Sequence, residues 1–189
     1  KNYFIGFCFL LGCSVAPFTL PAQSLVSERP LPNSFLLGNA AICVDAADFT
    51  AVQIAASLLQ QDLEAVTGKE PELKNTITGL PKTVIIIGSA DRSSFISQLI
   101  QQKKISITAI KGRWEAYQLQ VVSNPFKGVE HAIVITGSDR RGTAFGVFDL
   151  SKQLGVSPWY WWADVPVKKK SSIYIKKGMV FRDAPKVKY

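Results

Sequence analysis

Hydrophobic positions along this chain change period several times, and each change marks an element. Residues 40–44, Ala-Ala-Ile-Cys-Val, are a short apolar run that reads as a strand. Phe49, Val52, Ala56, Leu59, Leu63 and Val66 then recur at steps of three and four, the face of a helix, with Gln60, Gln61 and Glu64 off the stripe. Asp45 or Asp48 is the expected cap at its start, and Gly68 its stop, with Pro71 beyond. Residues 69–81 are polar, carry Pro71, Gly79 and Pro81, and read as a loop. Val84-Ile85-Ile86-Ile87, within residues 82–89, is continuous rather than alternating, as in a strand covered on both faces. Residues 93–103 predict a shorter helix, capped by Ser93 or Ser94 with Ile96, Leu99 and Ile100 inside.

Residues 114–122 alternate, with Tyr117, Leu119 and Val121 on one side, and predict a strand. Pro125 and Gly128 make residues 123–130 a hairpin loop, and residues 131–136 the strand that answers it. Gly137-Ser138-Asp139 leads into a third helix over 140–154, with Phe145, Val147, Phe148, Leu150 and Leu154 on its apolar faces. Gly155 ends it, and Pro158 prevents its resumption. Residues 171–177 alternate around Ile173 and Ile175 and suggest a last strand. The order is β-α-β-α-β-β-α-β. A β-α-β step favours parallel pairing, and the short 123–130 connection favours an antiparallel pair. The expected fold is therefore α+β, in α/β layers: a mixed sheet of about five strands with three helices packed on it.

The ends differ from the body. Lys1-Asn2-Tyr3 followed by the 13 apolar residues 4–16 has the form of an export signal, too short for a membrane span, with cleavage expected after Ala22. Leu10-Leu11-Gly12-Cys13 also admits a lipoprotein signal with Cys13 lipidated, although Leu11 fits that box poorly. Both routes lead out of the cytoplasm, to the periplasm, the outside of the cell or the outer membrane, with no transmembrane span in the mature chain. The organisation expected is a signal over 1–22, a lead-in over 23–36, one α/β domain over 37–178 and a linker over 179–189.

Charge and composition remove several function classes. The net charge of +8 comes from the C-terminal end: residues 23–164 carry 13 basic and 13 acidic side chains, whereas 165–189 carry eight basic ones against Asp183. A neutral body argues against nucleic-acid binding, which spreads basic groups over a folded face. Cys43 alone lies outside the signal, in an apolar run, and reads as a buried inert thiol. With His131 the single histidine, no multi-His metal site can be assembled and no Ser-His-Asp set proposed without forcing that residue, and no metal is expected. Gly137-Ser138-Asp139-Arg140-Arg141-Gly142 has the setting of an anion site at a helix start but neither dinucleotide nor P-loop spacing. The plainer reading is a capped turn, with Gly142 and Gly146 allowing close helix–sheet packing. Asp45 and Asp48 read as helix-start residues, Asp149 lies inside a helix, and Asp164 is the one acid in an unusual context, so no carboxylate pair for glycoside hydrolysis is visible.

That context is Ser157-Pro158-Trp159-Tyr160-Trp161-Trp162-Ala163-Asp164, which holds three of the four tryptophans. Four bulky aromatics in a row cannot all enter one small core, so some must meet another surface or a ligand. Trp159 and Tyr160 are assigned to packing against a neighbouring domain, and Trp161, Trp162 and Asp164 to sugar contact.

The run over residues 137–167, GSDRRGTAFGVFDLSKQLGVSPWYWWADVPV, closely resembles the signature of the N-terminal domain of glycoside hydrolase family 115. The Asp48-Phe49 to Val66-Thr67-Gly68 helix and the Ile-rich strand ending Gly88-Ser89 fit the same domain, so the resemblance covers about residues 35–189. It implies a zincin-like N-terminal domain of glycosidases, similar more distantly to those of family 67 glucuronidases and family 20 hexosaminidases. The family's enzymes are secreted bacterial α-glucuronidases that remove glucuronic acid or its 4-O-methyl ether from xylan. Their catalytic carboxylates lie in a (β/α)8 barrel that follows this domain, and residues 182–189 resemble the lead into it. No catalytic residue can therefore be carried onto this sequence, and no cofactor is implied. The expected partners are the chain's own C-terminal barrel and, through it, xylan or glucuronoxylan, with a homodimer of the full-length enzyme as a further expectation. The alternative function is a stand-alone carbohydrate-binding or surface-adhesion module using the Trp cluster.

Overall fold

The computed structural model describes residues 24–160 and 162–187. In chain order its strands are β1 (Val26–Ser27), β2 (Ser34–Leu36), β3 (Ala41–Val44), β4 (Leu73–Lys74), β5 (Thr83–Ser89), β6 (Tyr117–Ser123), β7 (His131–Gly137), β8 (Tyr174–Lys176) and β9 (Val180–Asp183). Its helices are α1 (Thr50–Thr67), α2 (Ser94–Gln101) and α3 (Arg140–Leu154). Six strands form one mixed sheet in the order β4-β3-β5-β7-β6-β9. β4, β3, β5 and β7 are mutually parallel, and β6 pairs antiparallel with both β7 and β9. The α+β architecture with three helices on a mixed sheet is the one the hydrophobic pattern predicts.

The continuous Ile run has the environment its composition requires. Ile85 lies opposite Ile42 and Ile133, and Ile86 opposite Cys43 and Val134, so β5 has a neighbour on each side. Successive side chains then enter different cores. Ile42, Ile85, Ile87, Leu119, Ile133 and Ile135 meet α1 and α3 on one face. Cys43, Val84, Ile86, Ala132 and Val134 meet Phe95, Ile96 and Leu99 around α2 on the other.

Helix ends follow the sequence at three points and depart from it at a fourth. Gly68 and Gly155 close α1 and α3 in the left-handed conformation, at φ 74° and 101°. The Ser93 hydroxyl accepts from Ile96 N to start α2. The start of α1 is the correction: neither Asp45 nor Asp48 caps it, since the N-cap position is Phe49, which makes no side-chain cap. Both carboxylates have found donors on other segments, described below.

Three segments read as irregular in the sequence are strands. β4 lies within the predicted 69–81 loop and pairs with β3, whereas two residues are too few to show a period. β1 and β2, in the lead-in, both pair antiparallel with β8 in a separate three-stranded sheet. Its Leu25, Phe35, Leu37, Ile173 and Ile175 close the edge of the α1–α3 core. β9 lies in the segment expected to leave the domain and forms the edge of the main sheet beside β6. Among the described residues, no helix is long and apolar enough to cross a membrane. The expected export signal, with Cys8 and Cys13, lies outside the described residues.

Candidate functional site

In parallel α/β sheets, ligands usually meet the carboxyl ends of the strands, so that edge is the first place to look. Here its donors are taken by the protein's own acids. Asp48 accepts from Ser89 N and Oγ at 2.8 and 2.7 Å and from Phe49 N at 2.8 Å. Asp45 accepts from Ala47 N at 2.9 Å, from Ser94 N at 2.7 Å, and from the Ser94 hydroxyl. Burial pushes the Asp45 carboxyl up, but the bonds from Ser94 and Ala47 together outweigh it and hold it below the ordinary value. These two acids thus fasten the end of β3 to the end of β5 and the start of α2.

The Gly137–Gly142 turn is closed in the same way. Asp139 accepts from Gly142 N and from Glu115 N, each at 2.8 Å, so a carboxylate of the chain occupies the anion position at the start of α3. A Cβ on Gly142 would lie 2.3 Å from the Ala116 carbonyl oxygen, and one on Gly146 would lie 2.8 Å from Ile135 Cγ2. The capped-turn reading is therefore the right one. Arg141 bonds the buried Glu115 at 2.7 Å, and Arg92 lies 4.6 Å from the centre of the Phe49 ring. Among the described residues no cluster of three metal-ligating side chains occurs.

The isolated candidates are structural. Cys43 is fully buried and its thiol is pushed up to about 12 by burial, with the Asp45 charge adding to it, so it is no nucleophile. His131 stacks on Phe35 with ring centres 4.5 Å apart, joining the main sheet to the small one. Burial, with Lys177 nearby, holds its imidazole below the ordinary value.

Beyond α3, the described aromatic residues lie on a hydrogen-bonded turn. Tyr160 N donates to Ser157 O at 3.0 Å, and Trp162 and Ala163 N both donate to Trp159 O, at 3.1 and 2.9 Å. The turn holds large apolar groups in solvent: Trp159 is 63% exposed, Trp162 85% and Tyr160 38%. Asp164 is exposed at φ 47°, at the end of the turn. Trp161 lies outside the described residues.

Beside this turn, a groove of about 430 Å³ opens between α1 and α3. Leu58, Phe148, Val156, Pro158 and Tyr160 form its apolar side. Gln61, Asp62, Asp149, Ser151, Lys152 and Ser157 are its polar groups. Burial raises both the Asp62 and the Asp149 carboxyls. Asp149 is held by Gln153, which donates at 2.9 Å, and has the Tyr117 hydroxyl beside it. Asp62 has the Ser151 hydroxyl beside it, close enough to moderate its rise but not in good hydrogen-bond geometry.

This pairing is not legible in the sequence. Asp62 lies on the polar flank of the α1 stripe and Asp149 in the middle of α3, 87 positions apart, and only the packing of one helix on the other brings them to one groove. Phe148, read as an apolar face of α3, is 46% exposed on the groove wall. The signal available was its excess: α3 carries more large apolar residues than one face can bury.

No protein-family model and no curated protein matches the chain. Among solved structures, it is similar to a family GH115 4-O-methyl-α-glucuronidase, BtGH115A, with specificity for decorated arabinogalactans. The match covers 84% of this chain and 19% of that one at 29% identity, with a TM-score of 0.66. It is similar also to CpGH84D, over 88% of this chain and 24% of that one at 15% identity, TM-score 0.49. A third is the N-acetyl-β-hexosaminidase of Streptomyces plicatus, over 83% and 24% at 15% identity, TM-score 0.47. The chain thus spans about a fifth of the glucuronidase it resembles. The signature over 137–167 and the fold carry one conclusion: this is a glycoside-hydrolase-related domain, similar to the N-terminal domain of glycoside hydrolase family 115.

Proposed function

We propose that this chain is the non-catalytic N-terminal domain of a secreted bacterial glycoside hydrolase, which packs on and borders a catalytic barrel that removes (4-O-methyl)glucuronic acid from a plant polysaccharide. The observation that carries this is the aromatic turn. Trp159, Tyr160 and Trp162 stand in solvent on a hydrogen-bonded scaffold, and exposure of such groups is costly unless a partner surface covers them. Trp159 and Tyr160 are assigned to the barrel, and Trp162 with Asp164 to the rim where substrate passes. The chemistry belongs to the barrel, because the acids at the strand ends are spent on holding the fold.

The polymer is the finer question. Xylan is the expectation from the sequence resemblance, whereas the structurally similar enzyme is specific for decorated arabinogalactans. Glucuronic acid release is therefore measured on glucuronoxylan and on glucuronidated arabinogalactan, with the 189-residue chain and with the full-length enzyme. The expected result is release by the full-length enzyme alone. In that enzyme, Trp159→Ala with Tyr160→Ala should lower the unfolding midpoint of this domain, because truncated interface anchors typically cost about 2 kcal/mol or more. Release by the 189-residue chain, or an unchanged midpoint, refutes the assignment.

A further inference from the structure

We infer that the groove between α1 and α3 binds a neutral saccharide, with Phe148 and Tyr160 as the apolar wall and Asp62 and Asp149 as acceptors for its hydroxyls. The inference concerns residues that the proposed packing does not use, Tyr160 excepted, and it is tested on the 189-residue chain, so either reading can fail without the other.

The groove, at about 430 Å³, is within the size range of small-molecule sites, and it opens directly to solvent beside the aromatic turn. Its two kinds of lining must be satisfied by one occupant. A hydrocarbon would cover Phe148 and Tyr160 but strip the two carboxyls of the solvent that serves their remaining lone pairs. An anion, uronic acid included, would be set against two carboxylates with only Lys152 among the lining residues to offset them. A metal ion lacks a third ligand, since no group of three His, Cys, Asp or Glu side chains gathers among the described residues. A pyranose matches both linings: its C–H face lies on an aromatic ring, and its hydroxyls donate to carboxylates.

The two carboxyls also suit an occupant that supplies donors. Burial raises both, and beyond the Gln153 bond to Asp149 each carboxyl keeps lone pairs that sugar hydroxyls can fill. Position adds a role: Tyr160 belongs both to the groove and to the turn assigned to the barrel. A sugar held here would lie along the border of the catalytic domain, where it retains the undecorated backbone of the polymer.

The test is calorimetric titration of the 189-residue chain with xylotetraose, with galactobiose, and with D-glucuronate as the charged comparator. The expected result is saturable binding of at least one neutral probe, with D-glucuronate weaker by tenfold or more. Phe148→Ala and Asp62→Asn should each weaken the neutral probe by tenfold or more. Both side chains are partly exposed, so unfolding midpoints near that of the parent chain would show that the fold survives. The inference is overturned if neither neutral probe binds, if D-glucuronate binds as well, or if either groove variant keeps the parent affinity. It is overturned equally if Trp162→Ala abolishes binding while the groove variants do not, which would move the sugar to the exposed turn.

Discussion

At the scale of single residues, this domain is held by carboxylates and glycines used for close approach. Asp48 shows the first kind: one side chain receives three donors from two segments, so the end of β5 cannot move away from the start of α1. Gly142 shows the second. It sits in the first turn of α3, where alanine would improve helix propensity by about 1 kcal/mol. A methyl there would lie 2.3 Å from the Ala116 carbonyl oxygen, and a backbone atom cannot swing aside as a side-chain end can. Overpacking of this kind costs about 1–3 kcal/mol, so the clash wins. Gly142→Ala is therefore expected to lower the urea midpoint of unfolding with little change in slope. An equal or higher midpoint would show that α3 lifts off the loop without penalty.

At the scale of elements, the sheet has a stable centre and short edges. β5 and β7 share seven residue pairs and are covered on both faces, whereas β4 contributes two residues and β1 two. Local opening should follow that gradient, because exchange requires loss of both pairing and cover. Amide hydrogen exchange is expected to be slowest at Ile85, Ile86, Ile133 and Val134 and fastest, among strands, in β1 and β4. Equal protection of β1 and β5 would contradict it. The same gradient explains which elements are legible in sequence. Long elements with many apolar positions announce their period. β4 and β9 do not, because an edge strand of two or four residues is decided by what it lies beside.

At the scale of the whole molecule, pH acts in two opposite senses. His131 is held neutral by burial and by Lys177 against the pull of Glu130, with Phe35 stacked on its ring. Its folded pKa is below the unfolded one, so the unfolded chain binds the proton first. Stability should therefore fall as pH falls through about 6.5. Asp62 and Asp149 are raised when folded, so ionising them costs stability, and that cost is relieved as pH falls through their raised values. Urea unfolding from pH 8 downward is expected to show a loss of stability as pH falls through the ordinary histidine value. The His131→Gln variant should be flatter between roughly pH 7 and pH 5. A slope in that window identical to the parent's would remove His131 as its source.

The sequence by itself determined the three helices with two of their glycine stops, the Ile-rich strand buried on both faces, the antiparallel hairpin, the family resemblance, and the crowding of aromatics after α3. Each of these is written in local periodicity or in one contiguous run. Only the tertiary structure decided that Asp45 and Asp48 tie strand ends rather than cap α1, that the lead-in pairs with β8, and that Asp62 and Asp149 share a groove. Those outcomes depend on which donors and surfaces arrive from dozens of residues away. A polar side chain's local pattern is the same whether it meets water, a backbone amide or a second carboxyl.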